Sequence, residues 1–412
     1  MGFFIAEIDG KPGVVLHDER GKPLSISAFG DLRVAPPFAF ADLNFRYGID
    51  ANEFGTSVAT GGTVTSIAAQ QAARLTVTAT SGSRAQLRTH TFYRYQSGKG
   101  FSARWSCYHS DAGQANQTRR WGFFDSGDGV FFQLAGTVLS VVRRTSTSGA
   151  TVDNLTAQAS WSVDKLDGTG PSLVTLDVTK ANIYEIRFQW LGAGSILYYV
   201  NGILVHETAN ANLLTVPYMA TATLPLAADV ENTIASTGAS VTFICGSASS
   251  EGGQECPEYT FGAFTPADIS VTTTERPILS IRPKTTLNTI VNRILLLPSL
   301  LGVSTEGSRM AVRVVMGNTL TGAGFASVNA ESGAEFDVAA TALSGGVTLF
   351  RSMLPNTNDG RDFNLASLFT HHARKLRLDA FGVTQEILTI AATNEAAGST
   401  LARASLSWRE IR

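Results

Sequence analysis

The sequence predicts an all-β protein: an antiparallel jelly-roll/β-sandwich domain, then a second β-sandwich domain, with an extended N-terminal arm. Three observations carry this prediction. Of the 412 residues, 44 % are hydrophobic and only 16 % are charged, against a usual charged share of about 25 %. The polar balance falls to Thr, Ser, Asn, Gln and 39 glycines, the composition of a chain with many turns. The apolar residues recur at every second position in short runs, and no long amphipathic helix separates them as a parallel α/β fold would require.

The arm comes first, over residues 1–54. Asp9-Gly10-Lys11-Pro12-Gly13 and Arg20-Gly21-Lys22-Pro23 are turns around a short apolar run, Val14-Val15-Leu16, which predicts a small hairpin. Pro36-Pro37-Phe38 then enforces an extended segment, because the residue before each proline is steered away from helix. Such an arm buries too little alone to be ordered and is expected to dock on a neighbouring subunit.

Residues 55–256 read as the jelly roll. In Tyr184–Trp190 the side chains of Tyr184, Ile186, Phe188 and Trp190 share one face, and Glu185, Arg187 and Gln189 share the other, the period of a half-buried antiparallel strand. Ile196–Val200 and Ile203–His206 flank Asn201-Gly202, the pair that supplies positive φ at both central positions of a type I′ turn. Further strands are expected at 74–78, 86–95, 101–108, 121–124, 130–134, 138–143 and 241–245.

Residues 257–412 form the second sandwich, beginning after Cys256-Pro257. Met310, Val312 and Val314 point inward from one strand. Leu376, Leu378 and Ala380 do so from another, Lys375–Ala380. The apolar run Ile294–Leu301, interrupted by Pro298 and Ser299, reads as one or two buried strands. Residues 363–369 are expected to form one short helix. The alternation of Ala402–Trp408 ties the end of the chain into a core.

Charge and motif content narrow the function. The net charge of −2 leaves no basic excess to release counterions from nucleic acid. No run approaches the roughly 20 apolar residues of a membrane span, and the acidic Glu7 interrupts the start before a signal-peptide core can form. These features predict synthesis in a cytoplasm with no membrane partner. Three cysteines, Cys107, Cys245 and Cys256, lack the spacing of a zinc site; Cys245 and Cys256 flank a Ser/Gly-rich loop that a disulfide would close. The sequence has no Gly-x-Ser-x-Gly elbow and no nucleotide-binding glycine fingerprint, so neither an enzyme activity nor a cofactor is expected. His371 and His372 are adjacent and would point to opposite strand faces, a poor chelate.

Two sets of residues remain as candidate sites. Asp125 with Asp128, and Asp164 with Asp167, each place two carboxylates three residues apart in an Asp-Gly turn, oxygen donors of the kind that hold calcium; the same residues also serve as ordinary turn formers. Trp121, Tyr198 and Tyr199, with Trp161 beside them, are aromatic groups that could stack on sugar rings, although rings in alternating strands more often fill a core.

Several longer motifs carry a family resemblance. Tyr93-Arg94-Tyr95-Gln96-Ser97-Gly98-Lys99, the stretch Trp121–Phe132, Trp161 with Asp164–Ser172, Ile186–Gly192 and Ser249–Gly253 occur in one order over roughly residues 85–255. Together with Glu275–Lys284 they resemble virion structural proteins of tailed bacteriophages. The resemblance implies a concanavalin/laminin-G-like jelly roll with no catalytic residues. It further implies a virion component at the tail, baseplate, neck fibre or capsid surface; the first 50 residues depart from the resemblance, and that arm is expected to contact other virion proteins. Self-assembly into a homo-oligomer, with a trimer as one candidate, fits a chain that works by repeated weak contacts. The alternative expectation is a lectin-like protein that binds a host-surface polysaccharide.

Overall fold

Alternating apolar residues become strands throughout. Among the described residues there are strands, two 3₁₀ turns at Ala68–Gln70 and Gln158–Ser160, and no α-helix. The computed structural model describes residues 3–8, 11–16, 37–253, 258–370 and 375–412. The expected N-terminal hairpin is present as Phe3–Ile8 paired antiparallel with Lys11–Leu16. The remainder of the arm up to Pro36 lies outside the described residues, as do Cys256, Pro257, His371 and His372.

The first sandwich faces a seven-stranded sheet against an eight-stranded one. In spatial order the seven strands are Val152–Ala157, Val138–Thr145, Gly129–Gly136, Gln114–Phe124, Leu226–Asn232, Arg84–Thr89 and Phe54–Ala59. The other sheet runs Ile203–Thr208, Ile196–Val200, Asn182–Phe188, Phe101–His109, Ala239–Ser250, Ala72–Val77 and Thr63–Ile67. Its eighth strand, Phe38–Asn44, pairs with the distal half of Ala239–Ser250. Every pairing is antiparallel. Between the sheets lies an aromatic core of Phe101, Trp105, Trp121, Phe123, Phe132, Tyr184, Phe188 and Tyr198. Each ring withdraws roughly 150–250 Å² from water, which stabilises the fold by several kcal/mol before ordering entropy is counted. Trp105 donates from Nε1 to the Gly122 carbonyl at 3.1 Å. A Cβ on Gly122 would stand 2.6 Å from the Phe131 Cα, so this close strand approach requires glycine.

The second sandwich pairs a five-stranded with a six-stranded sheet. In the first, Glu258–Phe264 and Ile269–Val271 both pair with Thr400–Ile411, which is followed by Leu295–Glu306 and Asp359–Asn364. The second runs Ala326–Ser327, Ala334–Asp337, Arg276–Pro283, Leu388–Asn394, Met310–Thr321 and Ala342–Leu354. Its core is aliphatic, built on Ile278, Leu301, Val314, Leu388 and Ile390, with Trp408 at its end. Trp408 Nε1 donates to Glu410 at 3.2 Å, and Glu410 also accepts from the Ser332 hydroxyl at 2.6 Å. The last strand is therefore fastened by hydrogen bonds as well as packing.

Most sequence expectations survive at the level of strands. Tyr184, Ile186 and Phe188 face the core as their spacing requires, and Asn201 and Gly202 have φ of 51° and 80°, both positive as a type I′ turn demands. The apolar run at 294–301 falls in one long strand, with a register shift at Pro298 where a ladder donor is missing. Three expectations need correction. The strand expected at 86–95 ends at Thr89, beyond which Tyr93 makes only an isolated bridge to Leu224. Residues 363–369 are not a helix: they complete a strand at Asn364, whose Oδ1 accepts from the Ala366 amide at 2.9 Å to form a turn. Lys375–Ala380 is not a regular strand but an irregular segment held by isolated bridges, Leu296 to Leu376 and Leu378 to Gln385.

Candidate functional site

Trp121, Tyr198 and Trp161 sit in the core, and Tyr199 is buried on the outer side of its strand. Trp121 and Tyr199 are 1 % exposed and Tyr198 is 0 % exposed, so no ring face is offered to a sugar. Trp121 packs edge-on to Tyr184 at 5.0 Å, and Tyr198 donates its hydroxyl to the Val142 carbonyl at 3.0 Å. Tyr199 projects from the other side of its strand, yet the Arg187 guanidinium lies 4.5 Å above its ring. Trp161 is also buried, donating to the Thr156 carbonyl at 3.2 Å. Hydrophobic burial claimed these rings because alternation on a two-sheet sandwich directs one face of each strand inward.

The four aspartates serve as turn braces. Asp125 accepts from the amides of Gly127 and Asp128 at 2.8 and 3.0 Å. The buried Asp128 accepts from Ser146 and from the Ala220 amide. Asp164 accepts from the Leu166 and Ser172 amides at 2.9 and 2.7 Å. Desolvation works against ionising Asp164, but those bonds outweigh it and hold its carboxyl below the usual range. Asp167 is held low by the hydroxyl and amide of Thr169. The oxygens expected to meet calcium are thus engaged by backbone donors, and among the described residues no group of three or more His, Cys, Asp or Glu converges. Cys245 is a free, exposed thiol 3.0 Å from the Ser106 hydroxyl.

The structure assembles two features that sequence reading missed. The first is a polar row across the outward face of the seven-stranded sheet. Ser57, Gln86, Asp229, Arg120, Gln133 and Ser140 occupy register-matched positions on six neighbouring strands. Leu226, Ala228 and Val230 of the strand Leu226–Asn232 enter the core, so Ala227, Asp229 and Glu231 must face outward. Arg120 bonds Asp229 at 3.1 Å, Glu231 at 2.8 Å and Gln133 at 3.1 Å. Burial raises the Asp229 carboxyl against the opposing pull of Arg120. Arg120 thus ties the middle of the row together. Beside it, Phe124, Phe131, Val142 and Ala227 form a small apolar cluster, with Arg144 5.1 Å from the Phe131 ring.

The second feature is the seam between the sandwiches. Ala380 and Phe381 of the second sandwich lie on the outward face of the first. An added Cβ at Gly55 would stand 2.7 Å from the Ala380 Cβ and 3.2 Å from the Phe381 ring. Arg88 stacks on Phe381 at 5.2 Å, His90 Nδ1 accepts from the Ala380 amide at 2.8 Å, and Arg377 donates to the Asn52 carbonyl. Arg293 lies 3.6 Å from the Phe92 ring and donates to the Asp379 carbonyl at 3.0 Å. Burial, helped by Arg377, pushes Lys375 down to about 8; burial also pushes Arg293 down to about 10. His90 is lowered by burial first and Arg377 second, so near neutral pH its ring favours the uncharged form, consistent with its role as acceptor. The signal for this seam was the very segment read as a one-sided strand: Leu376 enters the second core, and on the opposite side Lys375 and Arg377 meet Thr91 and Asn52 of the first sandwich.

Alongside the seam is a cleft of about 650 Å³. Asn52 and His90 line it from the first sandwich; Arg282, Asn318, Arg377 and Gln385 line it from the second. Asn318 is 5 % exposed and donates to the Thr389 hydroxyl at 3.0 Å, but its Oδ1 has no hydrogen-bond partner. Phe325 also lines the cleft, with the Arg282 guanidinium 3.8 Å from its ring.

No family model and no curated protein matches the chain. Among solved structures, it is similar to an endo-β-1,4-glucuronan lyase from the fungus Trichoderma reesei at 13 % identity and a TM-score of 0.32, over 48 % of this chain and 90 % of that one. The carbohydrate recognition domain of Emp46p is similar at 10 % identity and a TM-score of 0.31, over 51 % of this chain and 95 % of that one. The receptor-binding domain of botulinum neurotoxin type G is similar at 12 % identity and a TM-score of 0.31; 51 % of this chain covers 47 % of it, about half that domain's length. Likeness at this level bears on neither ligand nor partner.

Proposed function

We propose that the chain is a structural component of a tailed-phage particle that works by surface contact between protein copies. The supporting observation is the outer edge of the six-stranded sheet. Its thirteen-residue strand Ala342–Leu354 carries one charge, Arg351, and is exposed or half-buried along its length until Leu354. Val347 and Met353 are 49 % and 52 % exposed. The adjoining edge of the other sheet, Asp359–Asn364, lies beside it, with Phe350 and Phe363 5.1 Å apart. Proteins normally blunt a long edge with charge, proline or cover, because its unpaired amides and carbonyls invite another strand. An edge left this bare suits one that is covered on assembly. Size-exclusion chromatography with light scattering should show a homo-oligomer, and the chain should be found in purified virions. A monodisperse monomer absent from particles overturns the reading.

A second reading, carbohydrate binding at a host surface, is favoured by the seam cleft, whose lining mixes hydrogen-bond donors and acceptors around one aromatic ring. Binding of an oligosaccharide by the assembled protein, undisturbed by changes at the bare edge, would support it.

A further inference from the structure

We infer that the cleft between the two sandwiches is a binding site for a neutral oligosaccharide, an inference that rests on the carbohydrate reading. Arg282 is engaged by Glu335 at 2.8 Å, Arg377 is spent on the Asn52 carbonyl, and the Asp379 carboxylate accepts from the amides of Phe381 and Val383 at 3.1 and 2.8 Å. His90 favours its uncharged form and already accepts from the Ala380 amide. Over the whole lining, Arg282 and Arg377 are balanced by Asp379 and Glu386, so the cleft carries no net charge to favour a phosphate, a uronate or a cation.

The cleft nevertheless retains hydrogen-bonding capacity. Asn318 lines the cleft, and among the described residues its Oδ1 is shielded from solvent without a partner; an unmet acceptor costs on the order of 1–3 kcal/mol, which a turn of the amide toward the cleft would let a ligand relieve. Thr319 and Thr384 line the same space; the Thr384 hydroxyl donates to Asp379 and keeps its accepting lone pairs. A sugar hydroxyl both donates and accepts, so it can bond to an amide oxygen and to neighbouring hydroxyls at once. Phe325 adds the ring against which a pyranose face packs. The volume of about 650 Å³ lies inside the roughly 300–1,000 Å³ of small-molecule sites, which favour domain junctions. Walls drawn from both sandwiches would make the ligand a bridge across the seam.

Isothermal titration of the full chain tests this, with maltotriose, cellotriose and triacetylchitotriose as neutral probes and trigalacturonate as the anionic comparison. At least one neutral probe should bind with a Kd of ~1 mM or tighter. Asn318→Ala should weaken it tenfold or more. Because Asn318 also braces its sheet, Ala323→Trp provides the second arm: Ala323 is exposed on the cleft wall, and an indole there fills the space without entering a core. Neutral-sugar binding that survives both changes overturns the cleft and leaves the carbohydrate reading standing. Absence of binding by all three neutral probes overturns both. Binding of trigalacturonate alone overturns the neutral class.

Discussion

The two sandwiches differ in how each uses its surface. The first buries Trp105, Trp121, Tyr184 and Tyr198 in an aromatic core and gives part of the outward face of its seven-stranded sheet to its neighbour. The second closes an aliphatic core around Leu301, Leu388 and Ile390 and leaves its Ala342–Leu354 edge bare. Covered face and open edge make opposite demands on chemistry. The face is held by guanidinium stacking and close backbone approach at Gly55, whereas the edge has a single charge and many unspent backbone groups. The first module thus gives a face to the second, while the second keeps, among the described residues, an uncovered edge that the proposed assembly would use.

The largest expected effect tests whether the cores respond as one. Trp121→Ala should destabilise the protein by about 3–5 kcal/mol and Leu301→Ala by about 2–5 kcal/mol. If the seam couples the modules, either change lowers a single calorimetric transition. Two transitions, of which each variant moves only its own, would break the coupling.

Next comes the buried ammonium at the seam. Lys375 is 6 % exposed, with the Thr91 hydroxyl 3.5 Å from its Nζ; Arg377 opposes its charge and Glu53 favours it. An unfolded chain keeps that proton to a pH of about 10.4, whereas the folded chain releases it near 8. Between those values the unfolded state binds more protons, so stability should rise with pH, by up to about 3 kcal/mol. Below pH 8 the penalty is present in full. In Lys375→Met, urea titrations should lose that rise; parallel wild-type and variant curves from pH 8 to 10.5 would remove Lys375 from the account.

A smaller effect follows from close approach. Gly55→Val places side-chain atoms where Ala380 and Phe381 already lie and should cost about 1–3 kcal/mol as overpacking. The loss should appear as faster proteolysis within residues 375–387 and as separation of the two melting transitions. Unchanged protection would mean that the seam contributes little to holding the modules together.

The smallest change to the fold has the clearest readout in assembly. Val347→Lys on the exposed edge should shift stability by no more than about 0.5 kcal/mol, yet it should dissociate an oligomer built on that edge, as light scattering would show. An oligomer that survives the added charge places the contact elsewhere.

Strands and turns were legible because alternation and Asn-Gly chemistry act locally. Tyr184, Ile186 and Phe188 needed only their spacing to declare a buried face, and Asn201-Gly202 needed only positive φ. The terminal strand was equally plain, since Ala402, Ala404, Leu406 and Trp408 alternate into the core. The site was not legible. Trp121 and Tyr198 were expected in a core more often than on a ligand platform, but period-two patterning does not say whether the inward face belongs to the ring. In Lys375–Ala380, charges that local patterning assigns to solvent were buried by a sheet about 290 residues earlier in the chain, as the contact of Ala380 with His90 illustrates.

By itself, the sequence determined the all-β class, the inward positions of the strongest strands and the hairpin at residue 201, because each follows from interactions between near neighbours. Only the tertiary structure decided that Gly55 receives Ala380, that Asn52 and Arg377 border one cleft, and that Ala342–Leu354 is an outer edge. Those facts depend on which faces meet across long chain separations, where burial of a whole surface outweighs the preference of any single residue.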